Sequence, residues 1–251
     1  MKTYGLYLES GPKRRKTMVH VLELPGCVAT GPATEEALAA TPGAIRGYLR
    51  FLARHGEPVD PEGAFDTHVA EHITRGDWLG NGSPYLVFGP DLLPVSPEEM
   101  ETCLRRFRWV REDLAAWARE QTSSSLAATP APGGRAAGAV LLHILPGPGG
   151  YLANAVGAAP GFSRVQGAVE RGEMELPAAL LLVATMASDL VRATTPAQRS
   201  AIRDRPKNVG TLRKSLRRML EHDWEHYAEL ARRPGGPSPG TCGHSSEPRG
   251  D

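Results

Sequence analysis

The sequence predicts an α+β protein, a small β-rich module followed by a four-helix bundle. Three observations predict it. Residues 3–73 hold short apolar runs of alternating or β-branched character between Gly/Pro turns. Residues 96–232 hold longer stretches with apolar side chains at i, i+3, i+4, i+7, opened by caps or prolines. Between them, Pro90-Asp-Leu-Leu-Pro-Val-Ser-Pro97 is too proline-rich to continue either pattern. The expected organisation is a β-rich module over 1–94, a bundle over 95–232, and a tail over 233–251.

Within the first module, residues 3–8 alternate weakly and favour a strand. Ser10-Gly-Pro-Lys-Arg-Arg-Lys16 reads as a turn with a solvated basic tip, and Met18–Leu22 as the returning strand. Pro25-Gly26-Cys27-Val28 turns the chain into a third short strand. Thr34 is the expected cap of a helix with Glu35 and Glu36 in its first turn. Thr41-Pro42 is expected to restart it, with Ile45, Tyr48, Leu49 and Leu52 along one face. Phe65–Ile73 contains His68 and His72, but its β-branched alternation favours a strand. Residues four apart on a strand are separated by about 13 Å, too far to share one ion. Tyr85–Phe88 reads as a further short strand.

In the second module Ser96 caps a helix with Pro97 at its first position, running to about Gln121. Its inner stripe is Leu104, Phe107, Val110, Leu114 and Trp117. Residues 122–134 read as a small-residue loop. A second helix covers Arg135–Leu145, with His143 among leucines, and a third covers Leu176–Val191. The fourth runs from Gly210 or Thr211 to Leu230, with Arg232-Arg233-Pro-Gly-Gly closing it. The tail 233–251 is rich in Pro, Gly and Ser and is expected to be disordered; Cys242 and His244 within it are weak ligand candidates.

Composition narrows the function. The 251 residues are 41% hydrophobic, enough for a packed core, and the net charge of +1 gives no electrostatic case for nucleic acid or a membrane surface. Cys27, Cys103 and Cys242 are odd in number and far apart, so reduced thiols in a cytoplasmic protein are expected. The start lacks the apolar run of a signal peptide, and Leu180–Met186 is too short to span a bilayer.

His222 and His226 carry the chemistry. On a helix, residues four apart share a side, with Cβ atoms roughly 6 Å apart. Two imidazoles so placed reach one metal at about 2.0–2.1 Å. The same spacing also occurs on solvated helix faces, and a histidine among leucines is commonly a core residue. Glu221, Asp223 and Glu225 on the same helix include a candidate to orient a ligand ring.

Two resemblances extend this reading. Tyr4-Gly-Leu-Tyr-Leu-Glu9, Leu24-Pro-Gly-Cys-Val28 and Thr34-Glu-Glu-Ala-Leu38 resemble the HicB-like antitoxin fold over roughly residues 1–75. The resemblance implies a small sheet with a helix across it, here reused for association or to cover a site. Leu220-Glu-His-Asp-Trp-Glu-His-Tyr-Ala-Glu-Leu230 looks like the last core helix of the DinB-like four-helix bundle superfamily, over roughly residues 96–232. There, one His on the second helix and two on the last hold a divalent metal. Carried over, these are His143, His222 and His226, with zinc or nickel the expected ion. Tyr151-Leu152 fits the aromatic-Leu pair common after the first ligand.

The superfamily includes transferases that use low-molecular-weight thiols. The expected partners are therefore such a thiol and a small electrophile, with a homodimer allowed and neither nucleic acid nor membrane. One departure stands against it. Pro146-Gly147-Pro148-Gly149-Gly150 interrupts the second helix where the family continues it, so His143 is expected to be at risk of displacement. A non-catalytic interaction protein with a vestigial site is the alternative. An antitoxin-like repressor ranks last, because the chain is near neutral and carries no recognisable DNA-reading element.

Overall fold

The computed structural model describes residues 1–12, 15–130, 133–205 and 208–238. The expectation for the basic tip at Lys13 and Arg14 lies outside the described residues. So do those for residues 239–251, with Cys242 and His244.

The chain is mixed α+β. Strand β1 (Lys2–Ser10) pairs antiparallel with β2 (Arg15–Val21), which pairs antiparallel with β3 (Val28–Ala33). Strand β4 (Phe65–Ile73) lies parallel to β1, giving the order β3-β2-β1-β4. The parallel step needs a crossover. Helix α1 (Thr34–Arg54) supplies it and packs on β2 and β3.

Helix α1 differs from expectation at both predicted starts. Its N-cap is Ala33, and the Thr34 hydroxyl instead lies 3.1 Å from Thr17 Oγ1 and 3.3 Å from Ser10 Oγ. Pro42 does not restart the helix but sits inside it. Such a proline costs about 3 kcal/mol. Burial of Ile45, Tyr48, Leu49, Phe51 and Leu52 below it outweighs that cost. Tyr85–Phe88 is not a strand. Leu86 and Phe88 join Leu79 in a satellite cluster against Tyr7, Leu22 and Ile73. The segment is therefore held by side-chain packing rather than by strand pairing. A 3₁₀ turn, Gly89–Leu92, follows.

Helix α2 (Pro97–Arg119) opens with a capping box: Ser96 Oγ accepts from the Glu99 N–H, and Glu99 accepts from the Ser96 N–H. The predicted loop after it contains a short helix, α3 (Ser123–Ala127), capped by Thr122. The predicted second helix divides at Pro146 into α4 (Ala137–Ile144) and α5 (Gly147–Val156). Helix α6 (Phe162–Glu170) precedes α7 (Leu176–Arg192). Helix α8 (Pro196–Ser200) and a short antiparallel pair, β5 (Arg203–Arg205) and β6 (Asn208–Gly210), follow it. Helices α6 and α8 and this pair are additions to the predicted elements. Helix α9 (Leu212–Ala231) closes the fold, its Thr211 cap accepting from the Lys214 N–H. Helix α2 packs on α7 and α9, and α5 packs on the same two.

One apolar core runs across the predicted boundary near residue 94. Tyr48 and Phe51 of α1 stand 4.6 and 4.9 Å from the Trp224 ring of α9. A buried polar cluster lies beside it. His20 on β2 meets Glu221 at 3.0 Å and Glu9 at 3.3 Å. Arg217 and Arg218 bind Glu221 at 2.9 and 2.8 Å, and Arg217 also binds Asp91. At the far end of α9, the Trp117 indole N–H donates to the Gly235 carbonyl at 2.8 Å. No helix among the described residues is long and apolar enough to cross a membrane.

Candidate metal centre

His143 lies on α4, one residue before that helix ends at Ile144. His222 and His226 stand one turn apart on α9. The three converge, with one ring nitrogen from each lying within 4.8 Å of the other two. His143 Nε2 is 3.1 Å from His222 Nε2. Ring centroids are separated by 5.0, 5.1 and 4.8 Å. A tetrahedral ion with bonds of 2.0–2.1 Å holds its ligand nitrogens about 3.3–3.4 Å apart. The His143–His222 pair, at 3.1 Å, is already close to that spacing. His68 and His72 are not part of the cluster; His72 Nε2 lies 2.8 Å from Ser10 Oγ on the sheet.

The break at Pro146 does not carry His143 away. Helix α4 has ended before Pro146, so the missing N–H and the ring fall in the connection. The chain then passes close to His222. A Cβ on Gly147 would lie 3.2 Å from His222 Nδ1 and 3.3 Å from its Cε1. Glycine therefore permits the close approach, and Gly147 helps form the wall of the site.

The protonation states suit metal ligation. Burial, then the neighbouring His222, then Arg135 hold His143 below the ordinary imidazole value. Burial and His222 push His226 down to about 4 against the opposing Glu229 contact. Both rings are neutral at pH 7, the form that offers a lone pair. Exposure falls from His143 to His222 to the buried His226, so the centre opens on one side. That side is a cavity of about 510 Å³, walled by Tyr85, Tyr151, Asn154 and Asn208.

Behind the rings stand two carboxylates. His226 Nδ1 lies 2.9 Å from Glu229 Oε2, and Arg233 binds the other oxygen of Glu229 at 2.5 Å. His222 Nδ1 lies 3.6 Å from Asp223 Oδ1, and neither buried atom has a hydrogen-bond partner. A shift of a few tenths of an ångström would join them. Asp223 Oδ2 accepts from Arg111 Nε at 2.6 Å, and Arg111 Nη2 donates to the Ile144 carbonyl at 2.7 Å. Arg111, fully buried on α2, thus ties the end of α4 to α9. Of the three acidic residues considered from sequence, Asp223 is the one beside a ligand ring. Glu221 faces the sheet and His20 instead.

Sequence reasoning missed Arg111 and Glu229. Arg111 falls four residues after Phe107 and three before Leu114, a charge inside an apolar stripe. Glu229 follows His226 by three, which puts it on the same helix side. The chain's own described thiols are remote from nucleophilic use: burial raises Cys27 strongly and pushes Cys103 up to about 11. No family model, no curated protein and no solved structure matches the chain.

Proposed function

We propose that the protein binds a divalent metal, zinc or nickel, through His143, His222 and His226 and uses it to activate a low-molecular-weight thiol toward a small electrophile. The convergence of three imidazoles from two chain segments carries this reading. The packing of α2, α4/α5, α7 and α9 is consistent with a DinB-like four-helix bundle, preceded by a HicB-like sheet module.

Each part of the chain has a role in this proposal. Glu229 and Asp223 would hold the Nδ1 side of their rings and direct Nε2 inward. Tyr85, Tyr151, Asn154 and Asn208 would receive the organic reactants on the open side. A bound ion would supply Lewis acidity, lowering the pKa of a thiol that reaches it. Neither Cys27 nor Cys103 can supply that thiol, because both are buried.

Metal analysis of the untagged protein tests the proposal. One equivalent of zinc or nickel is expected, and it should be lost in His222→Ala and in His226→Ala. Unchanged metal content in those variants would remove the basis of the reading. Thiol consumption with small electrophiles, compared between metal-loaded and chelated protein, then tests the reaction.

A further inference from the structure

Strand β4 ends the sheet on its open side. Its inner edge pairs with β1, and no strand among the described residues pairs with its outer edge. The opposite edge strand, β3, contains Pro32 and is covered by α1. A proline has no N–H to offer a new partner. An unprotected edge is a template for another strand, so β4 is the edge where a partner strand has backbone groups to meet.

The side chains identify that partner. Phe65–Val69 keeps a regular register with β1, from Lys2↔Phe65 to Leu6↔Val69, before the register shifts at the next residue. In this regular stretch Phe65, Thr67 and Val69 share one face, and Asp66 and His68 share the other. Asp66, Thr67, His68 and Val69 are exposed, Val69 by 49%. Consider a second copy paired antiparallel about a two-fold axis through Thr67. Phe65 then faces Val69 of the second copy at both ends, Asp66 faces His68 on both sides, and Thr67 faces Thr67. Aromatic with β-branched, acid with imidazole, and threonine with threonine are each favourable cross-strand pairs. Moving the axis one residue destroys the match, opposing Asp66 to Asp66 or His68 to His68. The stretch is therefore self-complementary in a single register.

We propose that β4 is a homodimer interface, in which two copies of this chain join their sheets edge to edge through residues 65–69 about a two-fold axis at Thr67. Because the interface is isologous, every substitution acts twice. The proposal does not depend on the histidine centre.

Sedimentation equilibrium of the full chain, with chelator present to exclude metal bridging, tests it. The wild type is expected to dimerise below about 100 μM. Asp66→His alone opposes imidazole to imidazole, and His68→Asp alone opposes acid to acid. Each should weaken dimerisation by at least about tenfold. The double swap Asp66→His/His68→Asp recreates the pair in reverse and should restore dimerisation. All of these positions are exposed, and circular dichroism should show the fold retained. Thr67→Cys, in a chain also carrying Cys242→Ala, should form a disulfide-linked dimer under mild oxidant, since opposed Cβ atoms lie about 4.5–5.5 Å apart. A monomeric wild type, a dimer indifferent to the single changes, or a double swap that fails to restore association would each overturn the proposal.

Discussion

Replacing Asp223 by alanine would do two separable things. It removes the carboxylate 3.6 Å behind His222 Nδ1, and it leaves the fully buried Arg111 guanidinium without its 2.6 Å partner. Breaking a buried pair from one side costs about 3–5 kcal/mol. That loss alone would lower metal binding indirectly. The double variant Arg111→Met/Asp223→Leu removes both charges at similar volume, a change that is often neutral or stabilising. It still deprives His222 of its orienting carboxylate, and such losses lower metal affinity by about 10–100-fold. On the free-energy scale this is about 1.4–2.7 kcal/mol of binding. Urea denaturation of the chelated proteins should therefore show Asp223→Ala strongly destabilised and the double variant near wild type. Competition titration with a chromophoric chelator should show both weakened for zinc. A double variant with wild-type stability and wild-type zinc affinity would refute the assignment of Asp223 as a positioning residue.

Other sites give simpler expectations. Gly147→Ala brings a methyl to 3.2 Å from His222 Nδ1 and should lower zinc affinity severalfold while moving the denaturation midpoint little. Phe51→Ala removes a buried ring packed 4.9 Å from Trp224 and 5.7 Å from Tyr227 and should cost about 3–5 kcal/mol in urea denaturation. Asp113 supplies a pH dependence. Burial raises its carboxyl, but the His55 and Arg54 contacts outweigh this and hold it below the ordinary value. Its contribution to stability is therefore present above the unfolded value of about 3.9 and is lost as pH falls through the lower folded value. The stability gap between wild type and Asp113→Asn should narrow as pH falls below about 4.

Much of this architecture was legible in the chain itself, for physical reasons. Strands β1, β2 and β4 carry β-branched or alternating patterns between Gly/Pro turns. Helices α2 and α9 have long apolar stripes and their own caps, Ser96 and Thr211. Local chemistry failed where tertiary burial overrode it. Pro42 carries a restart signal, yet the apolar face below it keeps α1 continuous. Tyr85–Phe88 looks like a strand but spends its apolar residues in a small cluster instead. The histidines were legible because helical spacing fixes His222 and His226 on one side. Their convergence with His143 was expected from the DinB-like resemblance alone, because no spacing rule joins residues so far apart; in the structure Gly147 admits the α4–α5 connection beside His222. Arg111 was hidden because its partners, Asp223 and the Ile144 carbonyl, are distant in sequence.

Helix α9 also constrains how the protein can be dissected. Its Glu221 is held by His20 of the sheet, and its neighbour in sequence is the candidate ligand His222. Trp224, two positions further, is clasped by rings from α1. A fragment beginning at residue 95 would take His20 from Glu221 and Asp91 from Arg217, and would strip the aromatic seat from the same turn that bears the histidines. The imidazole trio is thus a property of the uncut polypeptide, and excised helical fragments are the wrong material in which to look for its metal.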